Sequence, residues 1–451
     1  MNPQDARARA GILTGVTVLV VAHDFPPVRS PQSIRGLHLV QALCAEGASV
    51  DVVTRSEPRG ASRGDADLCQ ALPGLRVYRA SSGHLESAID WVGSLRRAVQ
   101  KPNETGSESD HSVEPPAGPV QLNWKGRLIR HVRRLHDRLR FPDGRAAWAG
   151  HAAALIKPLL KTERPHVALI LHEPAAGLLL HKLLSDAGVP WMADLADPVL
   201  APYTAAHWRG RASKLEATVL RGASALSVTN EATAQLLGAR HGVPADRFLV
   251  LPQGFTPSQA SLPQRGETLR LVYTGRLYPF RNADALLSAV RSIDHVELLF
   301  AGPELPESVI AAAASDPVRF KVLGGTSHAT ALALQREADV LVSIGNKGTA
   351  QTPGKVIEYF GSARPILHVA HDADDRMALL VRRIHRGVAC AADVDEIISV
   401  LSALLAHKQA GTLGAAFDLS FDQVVEYEWS AIGGRLAGHL ASIQLPRWDK
   451  A

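Results

Sequence analysis

Residues 16–54 read VTVLVVAHDFPPVRSPQSIRGLHLVQALCAEGASVDVVT. A Val-rich run, Val16 to Ala22, is apolar throughout, as a parallel strand buried on both faces must be. A loop, HDFPPVRSPQ, follows it. From Ser33 to Glu46 apolar residues recur at helical spacing (Ile34, Leu37, Val40, Leu43, Cys44), and Gly47 supplies the left-handed residue that closes such a helix. The segment SVDVVT then returns as a second strand. This order predicts a βαβ unit with a Rossmann-like opening. The G-x-G-x-x-G fingerprint is missing, so the unit gives no support for dinucleotide binding.

The start of the chain, MNPQDARARAGILTGVTVLVVA, also imitates a signal peptide, with Arg7 and Arg9 ahead of an apolar run. The strand reading is preferred because the βαβ unit needs it. Hydrophobic content of 46% and charged content of 21% over 451 residues describe a globular protein of two to three domains. No apolar run reaches the roughly 18 residues of a membrane span. The cysteines Cys44, Cys69 and Cys390 are far apart and odd in number, which argues against a disulfide framework and for a cytoplasmic home.

Beyond Thr54, apolar and helical segments keep alternating. HVALILH from His166, a helix to about Ala187, PWMADLADP from Pro190, a helix around Glu216 and SALSVTN complete a first series, ended by Pro252 and Gly254. A second begins with LRLVYTG at Leu269 and runs through a helix from Ala283, VELLFAGP, VRFKVLGG, a helix to Glu337, DVLVSIG and PILHVA. The expected fold is α/β: two doubly wound Rossmann-like domains facing across a cleft, where such sheets take their ligands. The expected limits are 1–252, 264–420, and a final amphipathic helix in 421–451 that crosses back onto the first domain.

An insertion at about 92–145 interrupts the first domain. Its front, QKPNETGSESDHSVEPPAG, is polar and rich in Pro, Gly and Ser, which suits an exposed segment. From Trp124 to Arg145 eight Lys and Arg face two Asp; this window of +6 in a chain of +5 leaves the rest at −1. So local a charge argues against a nucleic-acid-coating protein. Leu128, Val132, Leu135 and Leu139 would make one apolar stripe on an Arg-covered helix. Such a helix either rests on its own domain or lies on an anionic membrane.

Two clusters in the second half carry candidate chemistry. In QTPGKVIEYFGSARPIL (351–367) a helix starts with Thr352 as cap, Pro353 and Gly354 in the first turn and Lys355 third. Glu358 lies one turn on, so its carboxylate is expected over the free backbone amides. Amides and dipole suit phosphate oxygens, and the carboxylate suits two ribose hydroxyls. In YTGRLYPFRN, Gly275 ends a strand and Arg276 and Arg281 flank a short loop, two fork-shaped donors fit for a diphosphate. In the first half, His172 and Asp197 end apolar runs, as does His23.

GRLYPFRNADALLSAV, FAGP and TPGKVIEYFGSARPIL together resemble the donor half of the glycosyl transferases group 1 family, retaining enzymes with the two-Rossmann GT-B fold. DFPPVRSPQSIRGLHLVQALCAEGASVDVVT, PWMADLADP and LPQGF resemble its acceptor domain and hinge. The resemblance implies that Arg276 and Arg281 bind the donor diphosphate and that Glu358 is the second glutamate of a paired motif, holding the ribose. Asp197 matches a family position near the sugar or acceptor. The chain departs from the pattern at Ala350, where the first motif glutamate belongs, at Arg29, Ser30 and Pro31 in place of a Gly-Gly, and at Gln253 and Thr256 in LPQGFT.

The expected activity is transfer, with retention, from a nucleotide-diphosphate sugar to a hydroxyl of a lipid-linked or polysaccharide acceptor, in cell-envelope glycan synthesis. Arg276 and Arg281 would stabilise the leaving diphosphate, and His172 and Asp197 would join them as catalytic candidates. Gly275, Thr352, Pro353, Gly354, Lys355 and Glu358 would bind the donor, and no metal or cofactor is called for. Closure about residues 252–263 would exclude water. The expected place is the cytoplasm, at the inner face of the membrane if Trp124 to Arg145 touches anionic lipid. The rival readings are a UDP-sugar 2-epimerase-like isomerase and a non-catalytic assembly protein on the same scaffold.

Overall fold

The computed structural model describes residues 11–28, 30–57, 72–83, 140–202, 204–258, 261–278, 281–303, 305–346 and 354–446. The chain divides into two units, Met1–Leu251 with Gly433–Ala451, and Pro252–Ile432.

In the first unit the elements run β1 (Thr17–Ala22), α1 (Pro31–Ala45), β2 (Ser49–Arg55), β3 (Leu75–Ala80), α2 (Ala146–Thr162), β4 (Val167–His172) and α3 (His181–Asp186). Then come β5 (Trp191–Leu195), α4 (Arg209–Gly222), β6 (Ala225–Val228), α5 (Glu231–His241) and β7 (Phe248–Val250). The seven strands are ordered β3-β2-β1-β4-β5-β6-β7, and β1 pairs parallel with both β2 and β4. The run that imitated a signal peptide is thus the middle of the sheet, buried from Val18 to Ala22. Helix α1 starts two residues before the expected Ser33, because Pro31 has no N–H to lose in a first turn and the Ser30 hydroxyl accepts from the Ser33 N–H at 3.1 Å. Trp148 and Ile156 of α2 fill the core against Leu19, Val21 and Ile170.

In the second unit the elements are β8 (Leu269–Thr274), α6 (Asp284–Arg291), β9 (Val296–Ala301), α7 (Glu307–Ser315), β10 (Phe320–Leu323), α8 (His328–Glu337) and β11 (Val340–Ile344). After them come α9 (Gly354–Phe360), β12 (Ile366–Ala370), α10 (Arg376–Arg383), β13 (Gly387–Ala391) and α11 (Val394–Ala410). The sheet order is β10-β9-β8-β11-β12-β13, and its pairs are parallel. Alternation along β8 sends Leu271 and Tyr273 to a core with Leu286 and Leu401, and Val272 to another with Val356, Tyr359 and Phe360. Each fully buried side chain of this size contributes about 1.5–3 kcal/mol.

The C-terminal segment is not the single helix expected from Phe421 onward. Asp422–Tyr427 forms 3-10 turns, Glu428 is extended, and α12 begins afresh at Trp429 and runs to Ser442. The break has a local cause: Phe255 N–H donates to the Tyr427 carbonyl at 3.0 Å, and Trp429 N–H donates to the Phe255 carbonyl at 3.0 Å. A Cβ on Gly254 would lie 2.6 Å from the Trp429 ring, so only glycine fits beside that bridge. The segment read as a hinge is therefore packed on the second unit from its start, with Phe255 stacked on Phe421.

Arg140 to Arg145, the described end of the basic window, forms bends and turns leading into α2 rather than helix. The stripe of Leu128, Val132, Leu135 and Leu139 lies outside the described residues, as do Ala350, Thr352 and Pro353. Among the described residues no helix is long and apolar enough to cross a membrane.

Candidate functional site

In the second unit the chemistry collects where β8 and β9 end. Gly275 follows β8 with φ +116°, a backbone state that side chains disfavour. A Cβ on Gly302, just past β9, would lie 1.9 Å from the Gly275 carbonyl oxygen, so the two strand ends touch through glycines. A Cβ on Gly275 would meet the Lys355 Cε at 2.9 Å. The two glycines make a floor, and the stem of Lys355 crosses it.

Helix α9 supplies the rest of this cluster. Lys355 Nζ donates to Glu358 Oε1 at 2.8 Å, and Gln335 Nε2, from α8, donates to the same oxygen at 2.7 Å. Burial alone would push the Glu358 pKa up, but the Lys355 charge, then His328, and the two hydrogen bonds outweigh it and hold the carboxyl below its usual range. The site therefore presents an ionised carboxylate at neutral pH. Gln335 is fully buried and also donates to Thr274 Oγ1 at 2.8 Å, while Tyr359 accepts the Thr274 N–H at 3.0 Å. Gln335 was missed in the sequence, where it is one polar residue on an otherwise helical pattern.

The two arginines of the β8–α6 loop are brought together around one ring. The Arg276 and Arg281 guanidinium carbons lie 5.9 and 5.3 Å from the Tyr278 centroid. Arg281 Nε donates to Asn346 Oδ1 at 2.7 Å, just past the end of β11. Tyr273 donates to the Arg276 carbonyl at 3.0 Å; burial pushes its phenol up to about 12, against the nearby charge of Arg281 and Lys355. Arg276, Arg281, Lys355 and Glu358 thus gather at the carboxyl edge of one sheet, with Gly354 opening α9 beside them.

In the first unit His172 ends β4 and is 4% exposed. Burial lowers its pKa to about 4, so the ring is neutral at pH 7. It bonds to the Asp197 backbone, and its Nδ1 has no partner among the described residues. His172 and Asp197 are therefore linked through the backbone of Asp197. The other aspartate of ADLADP, Asp194, has a different task. Arg35 grips it with two bonds of 2.8 and 2.9 Å and also donates to the Leu251 carbonyl at 2.9 Å, and Ser227 Oγ donates to it at 2.7 Å. His23 Nδ1 donates to Asp24 at 2.8 Å, and Arg55 donates to the same oxygen at 3.0 Å.

The loop that carries Asp197 is fixed from behind. Glu216 of α4 is buried; it accepts from Arg240 at 2.7 Å, from His241 at 2.6 Å and from the Leu200 N–H at 3.0 Å. No sequence pattern flagged this clamp, because its members are 16 to 25 residues apart.

Two parallel sheets, each wound with helices and with polar clusters past the carboxyl ends of their strands, define the double Rossmann-like, GT-B class. Residues 32–254 match the glycosyl transferase 4-like domain family. This match supports a likeness to the glycosyltransferase group 1 family. The fold is similar to that of the apo lipopolysaccharide outer core galactosyltransferase WaaB, with TM-score 0.54 and 10% identity over 95% of this chain and 99% of that one. A trehalose-6-phosphate protein structure from E. coli bound with UDP-2-fluoro glucose gives 0.55 and 13%, over 95% and 100%. UDP-GlcNAc 2-epimerase from Methanocaldococcus jannaschii gives 0.52 and 10%, over 94% and 99%. At these identities the likeness is one of fold. No curated protein matches the chain in sequence.

Proposed function

We propose that the protein is a retaining glycosyltransferase that takes a sugar from a nucleotide-diphosphate sugar and passes it to a hydroxyl of a lipid-linked or polysaccharide acceptor in cell-envelope glycan synthesis. The observation that carries the reading is the ionised Glu358, held by Lys355 and Gln335 over the Gly275–Gly302 floor with two arginines on the adjoining loop. Cations beside one fixed carboxylate match a nucleoside diphosphate: charge for the diphosphate, an acceptor for ribose hydroxyls. That a structure of the same fold holds UDP-2-fluoro glucose is in keeping with it.

In this reading Arg276, Arg281 and Lys355 neutralise the diphosphate as it leaves, the electrostatic part of the rate. Gly354 opens α9 toward the phosphates, and Thr352 and Pro353, which lie outside the described residues, join it as donor-binding residues on the sequence pattern alone. The first unit receives the acceptor, with Asp197 placed by the Glu216 clamp and His172 acting as a neutral hydrogen-bonding group rather than as an acid. Charge stabilisation comes from side chains, so the chemistry requires no metal. The cytoplasmic face of a membrane is the matching location.

The test is product analysis with a panel of nucleotide-sugars and glycan or lipid-linked acceptors. Transfer with the donor's anomeric configuration kept is the expected outcome. Conversion of a free UDP-sugar to its 2-epimer, with no transfer, would replace this reading by the isomerase.

A further inference from the structure

A second cluster, distinct from the donor residues, forms where the segment before α2 meets the start of α4. Arg211 is exposed, and its guanidinium carbon lies 4.5 Å from the Phe141 ring centroid and 5.0 Å from that of Trp208. The two rings are 5.5 Å apart and tilted by 55°. Among the described residues no carboxylate pairs with Arg211. The Trp208 indole nitrogen is shut off from solvent and has no hydrogen-bond partner among the described residues.

Position and charge narrow the ligand. Phe141 is tied to the carboxyl edge of the sheet, because Asp143 accepts the N–H of Ala176, just past β4, at 3.1 Å. Arg209 and Arg211 occupy the first turn of α4, which has no acidic residue and no side-chain cap. Cations there oppose the helix dipole, and a bound anion would relieve that conflict. Two aromatic faces hold the guanidinium and shed its water, while its edge keeps paired N–H donors for a fork-shaped contact.

We propose that Phe141, Trp208 and Arg211 form a site for a phosphate group carried by the acceptor. The proposal rests on the transferase reading for the word acceptor, but the anion site itself does not need it. The group is a phosphate ester, whether in a lipid headgroup or on a soluble sugar or polyol.

The experiment is calorimetry on the full chain with glycerol 3-phosphate against glycerol, with and without UDP, alongside co-sedimentation with phosphatidylcholine vesicles that do or do not contain phosphatidic acid. Binding of glycerol 3-phosphate but not glycerol is expected, weakened about tenfold in Arg211→Ala and not restored in Arg211→Lys. Trp208→Phe, which keeps the ring and removes the N–H, should lose less. Arg211-dependent pelleting with phosphatidic acid alone would assign the phosphate to a lipid and still support the site. Phosphate binding that is the same in Arg211→Ala and wild type overturns it, as does failure of both phosphate probes. UDP affinity unchanged in Arg211→Ala shows that the variant is folded. Arg211-dependent phosphate binding without any UDP binding would remove the transferase reading and leave this site standing.

Discussion

The Lys355 ammonium lies 2.8 Å from Glu358 Oε1, and its stem can pass there only because position 275 has no Cβ. Lysine, glutamate and glycine are thus one device: the glycine gives the lysine its path, and the lysine keeps the glutamate ionised.

Gly275→Ala should break that device. The added methyl meets Lys355 Cε, and the residue is held at φ +116°. We expect a loss of roughly 1–3 kcal/mol in urea unfolding, together with weaker UDP or GDP binding by calorimetry. Binding equal to wild type would mean that Lys355 does not serve the nucleotide.

Gln335→Leu should destabilise by about 1–3 kcal/mol, because Thr274 and Glu358 lose a buried donor. Gln335→Glu should do more harm to nucleotide affinity than to folding at pH 5, since it sets a second carboxyl against Glu358. Equal nucleotide affinity in the two variants would contradict the role given to Gln335.

His172 sets an acid limit. Its pKa falls from the ordinary 6.5 of the unfolded chain to about 4 when folded, so below pH 6.5 the unfolded chain takes the proton first. The stability from the neutral ring is complete above pH 6.5 and is lost as the pH falls toward 4. His23 shifts the same way and adds to the slope. Denaturant melts between pH 7 and 4 should show this decline, and His172→Gln should flatten part of it. A pH-independent midpoint in the wild type would refute the neutral-ring assignment.

Glu216→Ala leaves Arg240 and His241 facing an empty site and frees the Leu200 N–H, and removing one partner of a buried pair costs about 3–5 kcal/mol. Because the clamp holds the loop with Asp197, Glu216→Gln should weaken acceptor binding while leaving nucleotide affinity alone. A chelator such as EDTA should leave the transfer rate unchanged, and a rate restored only by a divalent ion would put a metal in the mechanism.

The fold was legible where burial imposes a period. Val16–Ala22, Leu269–Thr274 and Val340–Ile344 are mostly apolar because both faces are largely covered, with Arg270 the exposed exception in β8, and their helices show one apolar face. Gly275, Lys355 and Glu358 were legible because they are local to a strand end or one helical turn. Arg35 with Asp194, Gln335 with Glu358 and Glu216 with Arg240 were not, since each pair joins distant positions whose meeting depends on tertiary packing. The break at Glu428 was hidden for the same reason, as its partner is Phe255.

Calorimetric titration of the wild type and Glu358→Ala with UDP and GDP tests the central claim most directly. The account predicts that one of the two nucleotides binds the wild type, and that Glu358→Ala weakens it by about tenfold or more. No binding of either nucleotide to the wild type, or equal affinity in the variant, would contradict it.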